Sequence, residues 1–288
     1  MNAQIRPVLV AMAGAVLLST GALVWLGRDL LQGRDQNSSQ SPLLDLLEDV
    51  RRTPPSRQPR RPPAPPRIST WQQPQAHACP ALDPAMTQRL QTLLARLPVS
   101  VERVRIHPTN YGHRYAQDAF GNPVDPTPKV VVLHETVYGI DSAINTFITP
   151  HPRDEDQVSY HTLIGQNGRV VQLVDPAYRA FGAGNSAFNG QWVVTNPKVG
   201  GSINNFALHL SLETPPDGEN TAAEHSGYTQ AQYDALAVVL TDWMRRFNIP
   251  PDQITTHQHV DLAGERSDPR SFNWLELRAR LAALGVIC

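Results

Sequence analysis

The sequence predicts an α/β fold in which helices flank a mixed central β-sheet. Patterns typical of strands and of helices alternate from about residue 79 to the end of the 288-residue chain, as expected for that architecture. The apolar run from Val130 to Leu133 is typical of a strand buried on both faces. The stretch from Thr229 to Phe247 has apolar residues at helical spacing. We therefore place one folded domain at residues 79–288.

Residues 1–34 contain a candidate export or membrane-anchoring segment. Arg6 precedes an uncharged stretch at residues 7–27, and a helix of that length would span about the 30 Å hydrocarbon core of a bilayer. Two interpretations stay open, an uncleaved signal anchor and a cleaved signal peptide. Both place the rest of the chain in the periplasm or cell envelope. It would be held at the cytoplasmic membrane if uncleaved, and secreted if cleaved.

Residues 35–78 are expected to form a disordered linker between that segment and the folded domain. Within them, residues 51–67 are dominated by proline and arginine, a composition that favours an extended, polyproline-like spacer. Such a stretch has too few apolar side chains to bury a core of its own.

The elements of the folded domain follow from local patterns. Strands are expected where apolar residues alternate or run together, and helices where they recur at every third or fourth position. The sequence Gln166-Asn167-Gly168 is typical of a hairpin turn between two strands. The predicted helices cover 84–97, 229–247 and 273–284, and the predicted strands cover 99–106, 130–134, 159–164, 169–174, 206–213 and 254–257.

Charge and cysteine content narrow the possible partners. The net charge of −1 argues against nucleic acid, because neutralising phosphates needs an excess of Lys and Arg. The two cysteines are Cys79, at the start of the folded domain, and Cys288, the last residue. In an oxidising compartment we expect them to pair in a disulfide that ties the ends of the domain together; two separate thiols are the alternative. A monomer is the default expectation.

Three side chains have the character of metal ligands. His134 ends the buried strand, His257 ends a second short strand, and Asp268 follows across a glycine-containing loop. Two histidines and one carboxylate would leave an open fourth position on zinc, the pattern of a catalytic site rather than a structural one. Taken singly, a histidine at the end of a strand is more commonly structural.

The strand NFALHLSLET adds a candidate acid–base residue. Residues two apart face the same side of a strand, so Leu208, Leu210 and Leu212 are expected to point into the core. His209, Ser211 and Glu213 then face the other way. If that face lies under the metal, Glu213 is placed to take a proton from water and pass it to a leaving nitrogen. An exposed strand carboxylate without a role is the alternative.

Residues 129–275 resemble the type-2 family of zinc N-acetylmuramoyl-L-alanine amidases, whose superfamily includes peptidoglycan recognition proteins and phage lysozyme-type amidases. The resemblance rests on the order and spacing of five segments: VVVLHET, VSYHTLIGQNGRVVQLVD, RAFGAGNS, NNFALHLSLET and TTHQHVDLAGERSDPRSFNW.

The resemblance implies a zinc ion held by His134, His257 and Asp268. His259 competes with His257 for the second ligand position. We prefer His257, because it ends the Ile254–Thr256 strand and because relatives with a double histidine here use the first.

The resemblance also implies catalytic roles for Glu213, Tyr160 and Arg266. Glu213 matches the general base, Tyr160 matches a tyrosine that assists catalysis, and Arg266 stands where relatives usually carry Lys. A cation there would stabilise an oxyanion, although a planar guanidinium differs from a point-charge ammonium. Two departures from the family pattern are Gly182, where many relatives have His, and His209, where many have a small residue.

The implied activity is hydrolysis of the amide bond between N-acetylmuramic acid and L-alanine by zinc-activated water, on peptidoglycan or muropeptides. Two alternatives remain: a non-catalytic peptidoglycan-binding module of the same fold, and a zinc peptidase of the stem peptide. Retention of all three ligand types argues against the first alternative. The second lacks support because the sequence has no HExxH motif.

Overall fold

A computed structural model describes residues 61–64, 66, 71–74 and 81–288. The chain divides into two units, Met1–Gln58 and Pro59–Cys288, and the first lies wholly outside the described residues. None of the described helices is both long and apolar enough to cross a bilayer. The predicted signal segment at residues 7–27 lies outside them, as does Cys79. The signal or anchor segment and the Cys79–Cys288 disulfide therefore stay predictions.

The folded unit contains ten strands and five α-helices in the described part of the chain. In chain order they are α1 (Pro84–Ser100), β1 (Glu102–Arg103), β2 (Tyr111–His113), β3 (Val130–Glu135), α2 (Ile140–Ile148), β4 (Thr162–Ile164), β5 (Val170–Gln172), β6 (Tyr178–Ala180), β7 (Val193–Asn196), β8 (Gly200–Ser202), β9 (Ala207–Leu212), α3 (Gln230–Phe247), β10 (Ile254–Thr256), α4 (His257–Val260) and α5 (Trp274–Ala283).

Six strands form the central sheet in the order β1-β5-β4-β9-β3-β10. The neighbours β4, β9, β3 and β10 run parallel to one another, and β5 is antiparallel to β4. The pairs β2–β6 and β7–β8 form separate two-stranded ribbons. The predicted mixed sheet flanked by helices is thus confirmed.

The two faces of the sheet bury different sets of side chains. The larger core packs α1, α3 and α5 against one face, where Leu208, Leu210 and Leu212 of β9 lie. His209 and Ser211 point to the opposite face and are fully buried there. This alternation was predicted from the period of two along the strand.

Most predicted elements are confirmed, although the helix α2 and the strands β2, β6, β7 and β8 were not predicted and several predicted strands are shorter in the structure. The predicted strand at residues 99–106 is a strand only at Glu102–Arg103, because α1 continues to Ser100 and the partner strand β5 ends at Gln172. The predicted strand at residues 254–257 ends at Thr256, since His257 begins the short helix α4. The hairpin β4–β5 and the helix α3, with Thr229 as N-cap in a capping box, are as expected.

Residues 71–74, within the segment that the sequence assigns to the linker, pack on the folded unit. The Trp71 ring stacks on His259, with ring centroids 3.7 Å apart, and lies 5.4 Å from that of Trp274. The Gln73 side-chain amide donates to the carbonyls of Pro251 (2.8 Å) and Ile254 (2.5 Å), beside β10. This segment is therefore part of the surface that supports the site.

Candidate metal centre

The three candidate metal ligands meet at one edge of the central sheet. Strands β3 and β10 are parallel neighbours, so His134 near the end of β3 and His257 directly after β10 emerge side by side. The loop after α4 brings Asp268 between them. Its carboxylate lies 3.2 Å from Nδ1 of His134 and 3.0 Å from Nδ1 of His257.

Among the residues that the structure describes, these three form the one group of His, Cys, Asp or Glu side chains close enough to share a metal ion, with ligand atoms within 4.8 Å of one another. Two imidazole nitrogens and one carboxylate oxygen are the donor set of a catalytic zinc site with one position left open. His259 is directed elsewhere: its Nδ1 contacts the hydroxyl of Thr256 and its ring stacks on Trp71. The geometry therefore favours His257 over His259.

The protonation states suit cation binding. Burial lowers the pKa of the fully buried His134 to about 4, although the hydrogen bond with Asp268 acts in the opposite direction. Burial alone would raise the pKa of Asp268, but the hydrogen bonds and charges of His134 and His257 outweigh it and hold the pKa below its usual 3.8. At neutral pH the site thus offers a neutral His134 imidazole and an ionised carboxylate.

A buried row of histidines lies behind His134. The Nε2 atom of His134 is 3.0 Å from Nδ1 of His209, and the backbone N–H of His209 donates to Nδ1 of His161 (2.9 Å). That bond leaves the ring hydrogen of His161 on Nε2, 3.2 Å from the carbonyl of Tyr178. Burial, together with the charge of Arg114, lowers the pKa of His161 to about 3.

Arg114, directly after β2, lies at the end of this row of histidines. Its guanidinium donates to the carbonyls of Pro176 (3.0 Å), Asn205 (2.8 Å) and Ala207 (3.0 Å). Burial, and then the charge of Arg179, lowers its pKa to about 10. The guanidinium therefore ties the start of β9 to the loop before β6.

A second buried network holds the loop that carries Asp268. Glu135 neighbours His134 but faces the opposite side of β3. Its carboxylate accepts from Nε2 of His225 (3.0 Å), the hydroxyl of Tyr228 (2.6 Å) and the backbone N–H of Arg270 (3.0 Å), and it pairs with the Arg270 guanidinium. Since Arg270 lies two residues beyond Asp268, this ion pair fixes the position of the ligand loop.

Tyr160 and Arg266 border the metal group. The Tyr160 ring stacks on that of His134, with centroids 4.4 Å apart and planes at 27°. Burial raises the pKa of Tyr160, so its hydroxyl keeps its proton. Arg266 lines the same cleft as His257 and Tyr160, a space of about 540 Å³. The far wall of the cleft carries the acidic run Asp154–Asp156.

Glu213 lies one residue beyond β9 and is half-buried. One carboxylate oxygen accepts from the backbone N–H of Ile140 (2.9 Å), and the other accepts from that of Gln166 (2.8 Å). These hydrogen bonds tie the start of α2 to the β4–β5 hairpin turn. A carboxylate oxygen has two lone pairs, so each retains one for a proton or a water molecule.

Sequence reasoning assigned no role to His161, Arg114, Glu135 or Arg270. His161 follows Tyr160 directly and Glu135 follows His134, so proximity to site residues was a usable signal for these two. Arg114 lies in a segment without a recognisable pattern, and its role depends on contacts with residues far away in the chain.

A mixed α/β sheet that brings two imidazoles and a carboxylate together beside a cleft lined by His257 is the arrangement of a candidate metal-dependent hydrolase. The model of one family, N-acetylmuramoyl-L-alanine amidase (Amidase_2), matches residues 124–271. The chain belongs to this family.

The chain is also similar to individual amidases. The chain is 32% identical over 173 residues to 1,6-anhydro-N-acetylmuramyl-L-alanine amidase AmpD of Citrobacter freundii, covering 54% of this chain and 82% of AmpD. It is 28% identical over 174 residues to N-acetylmuramoyl-L-alanine amidase AmiD of Escherichia coli K12, covering 57% of this chain and 55% of AmiD. A crystal structure of a selenomethionine AmpD derivative has a TM-score of 0.47 at 25% identity and covers 64% of this chain and 95% of its own.

Proposed function

We propose that the chain is a zinc-dependent amidase that hydrolyses the amide bond between N-acetylmuramic acid and L-alanine in peptidoglycan or muropeptides. The observation that carries the proposal is the group His134, His257 and Asp268, with ligand atoms within 4.8 Å of one another beside an open cleft, in a chain of the amidase family. A zinc ion held there would supply Lewis-acid chemistry, polarising a carbonyl and activating water.

The surrounding side chains have distinct tasks in this proposal. Glu213 receives a proton from the attacking water and returns it to the leaving nitrogen of L-alanine. The two backbone amides that bind its carboxylate hold it in one orientation. The Arg266 guanidinium, on the cleft wall beside His257, stabilises negative charge on the attacked carbonyl oxygen. Tyr160 packs against His134 and presents a protonated hydroxyl to the cleft.

The cleft suits a ligand with both sugar and peptide parts. Its space of about 540 Å³ is lined by residues that include the Asp154–Asp156 run, Arg179 and Phe181, so it offers charged, hydrogen-bonding and aromatic contacts. AmpD and AmiD are named as amidases of anhydro-N-acetylmuramyl-L-alanine and N-acetylmuramoyl-L-alanine bonds, respectively. We propose a substrate of the same chemical class for this chain.

The proposed compartment is the periplasm or cell envelope, with the apolar residues 7–27 as signal or anchor. Protease added to osmotically opened cells tests it. We expect degradation of the folded unit by externally added protease and fractionation of uncleaved chain with membranes. Protection of the chain until the cytoplasmic membrane is lysed would contradict export.

The decisive experiment incubates the full chain with purified peptidoglycan, with and without a chelator, and identifies products by mass spectrometry. Release of free stem peptides that begin with L-alanine, lost on chelation and restored by Zn²⁺, is the expected result. Binding without release would favour a recognition module, and cleavage within the stem would favour a peptidase.

Two histidines two residues apart provide a matched control. His257→Ala should abolish both zinc binding and release of peptides, whereas His259→Ala, outside the ligand group, should retain zinc. Equal loss of zinc from both variants would contradict the ligand assignment.

A further inference from the structure

His209 is a fully buried polar side chain with an unusual set of contacts. It lies in β9, between β4 and β3. Two hydrogen bonds of 2.9 Å join its backbone to His161. The backbone N–H of His209 donates to Nδ1 of His161, and the backbone N–H of His161 donates to the backbone carbonyl of His209. The two rings are nearly parallel, with planes at 11°. His209 is therefore a rigidly placed imidazole.

The polar contact of that ring is with a candidate metal ligand. Nδ1 of His209 lies 3.0 Å from Nε2 of His134, whereas Nε2 of His209 is buried without a hydrogen-bond partner among the described residues. Burying a polar atom without a partner costs free energy, and an apolar side chain of similar size would avoid that cost. The contact with His134 is thus the feature that distinguishes histidine from an apolar residue at this position.

The hydrogen positions follow from which atom of His134 faces Asp268 and His257. Nδ1 is the His134 nitrogen that faces Asp268, at 3.2 Å, so its lone pair is free for a metal only when the ring hydrogen is on Nε2. That hydrogen then points at Nδ1 of His209, which must accept it. Metal-binding histidines commonly donate their second N–H to such a partner, which fixes the ring orientation and raises the basicity of the ligand.

Gly182 provides the space for this arrangement. A Cβ atom added to Gly182 would lie 2.4 Å from Nδ1 and 2.5 Å from Cγ of His209. Gly182 does not adopt a positive φ, so its backbone conformation does not require glycine. The requirement is for room beside the imidazole of His209.

We propose that His209 is a positioning residue for the metal centre: it accepts the Nε2–H of His134, holds that ring with Nδ1 available to the metal, and depends on the missing side chain of Gly182 for its place. The inference rests on the proposed zinc site, and it adds residues that do not themselves touch the metal. An equivalent change at either position is expected to act through His134.

The test measures the zinc affinity of the full-length chain, purified in mild detergent, by competition with a chromophoric chelator. Two variants are matched: His209→Asn keeps an acceptor near the position of Nδ1, and His209→Leu fills the space without one. We expect His209→Leu to lower zinc affinity by about 10–100-fold and His209→Asn to retain at least about ten times the affinity of the Leu variant. Nitrogen-15 spectra of the zinc-loaded wild type should show His134 protonated at Nε2.

Gly182→Ala supplies a second test at the edge of the cleft, should His209→Leu fail to fold. It should lower zinc affinity when His209 is present and cause no further loss in a His209→Ala background, where the added Cβ no longer meets an imidazole. Thermal unfolding of the metal-free variants checks that the fold is intact.

The outcomes separate the two proposals. A wild-type chain that binds no zinc would overturn the zinc site and this inference with it. Zinc binding by wild type with equal affinities in the Asn and Leu variants would leave the zinc site standing and overturn the role of His209. Additive losses from Gly182→Ala and His209→Ala would overturn the link between those two positions.

Discussion

Replacement of Glu213 by Gln separates two tasks that the structure gives to one carboxylate. As the proposed proton acceptor, Glu213 needs an ionised oxygen. As an anchor, it needs two acceptors, because its oxygens bind the backbone amides of Ile140 and Gln166 at 2.9 and 2.8 Å. Gln retains one acceptor oxygen and places an NH₂ group against the other amide.

The two tasks predict effects of different size. Loss of one charge-assisted hydrogen bond costs about 1.5–3 kcal/mol of the free energy of unfolding, which lowers the Tm of a domain of this size by roughly 3–12 °C. Loss of general-base catalysis lowers kcat by about 100- to 10,000-fold. We expect Glu213→Gln to show both effects and to bind zinc as wild type does.

The assay combines peptide release from peptidoglycan, thermal unfolding and zinc competition on the same preparations. Gln232→Leu is the matched control, since Gln232 donates to the backbone carbonyl of Glu213 at 2.8 Å. Gln232 also accepts from the backbone N–H of Thr229 in the capping box, so the substitution should destabilise the same region by about 1–3 kcal/mol without removing the carboxylate. A kcat of Glu213→Gln within about tenfold of the control would refute the general-base role and leave Glu213 as an anchor.

Three further outcomes are expected. Glu135→Gln should cost about 3–5 kcal/mol of stability, because it leaves the buried guanidinium of Arg270 without its charge partner, and should weaken zinc binding; unchanged zinc affinity would contradict the loop-fixing role. In metal-free protein, His161, with its pKa lowered to about 3 from 6.5, contributes stability that is fully present above pH 6.5 and is lost as the pH falls toward 3. His161 should contribute about 1.4 kcal/mol per pH unit to the dependence of stability on pH in urea titrations, so the slope should decrease by about that amount in His161→Asn. Trp71→Ala should lower the free energy of unfolding by roughly 1–3 kcal/mol, measured by urea denaturation; equal stability would show that residues 71–74 add nothing to the fold.

Local patterns predicted most of the fold because each depends on neighbouring residues only. The capping box at Thr229 and the Asn167-Gly168 turn are read from a few positions, and the structure confirms both. The strand at 99–106 failed for a non-local reason. A strand requires a partner, and β5 offers pairing only to Glu102 and Arg103.

The candidate site also has a part that local sequence patterns predicted and a part that they did not. The sequence predicted His134, His257 and Asp268 as one ligand group from two histidines at strand ends, a carboxylate across a loop and the family resemblance, and the structure brings the three side chains together. The alternation along β9 placed His209 on the correct face. The close approach of the His209 ring to Gly182 was not predictable, because nothing in the two separate segments shows that they meet.

Strand β3 carries both the candidate ligand His134 and Glu135, the residue that supports the Asp268 loop. Consecutive residues of a strand point to opposite faces, so His134 enters the metal group while Glu135 binds Arg270 on the other side of the sheet. The loop that carries Asp268 is therefore held on one side of the sheet by Glu135, while Asp268 contacts the adjacent residue, His134, on the other side. A shift of register by one residue would exchange the two side chains and disrupt both contacts at once. Because β3 is paired along its length with β9 and along part of it with β10, that shift is strongly opposed. The sheet, together with the loop that Glu135 holds, thus keeps the three candidate ligand side chains close to one another.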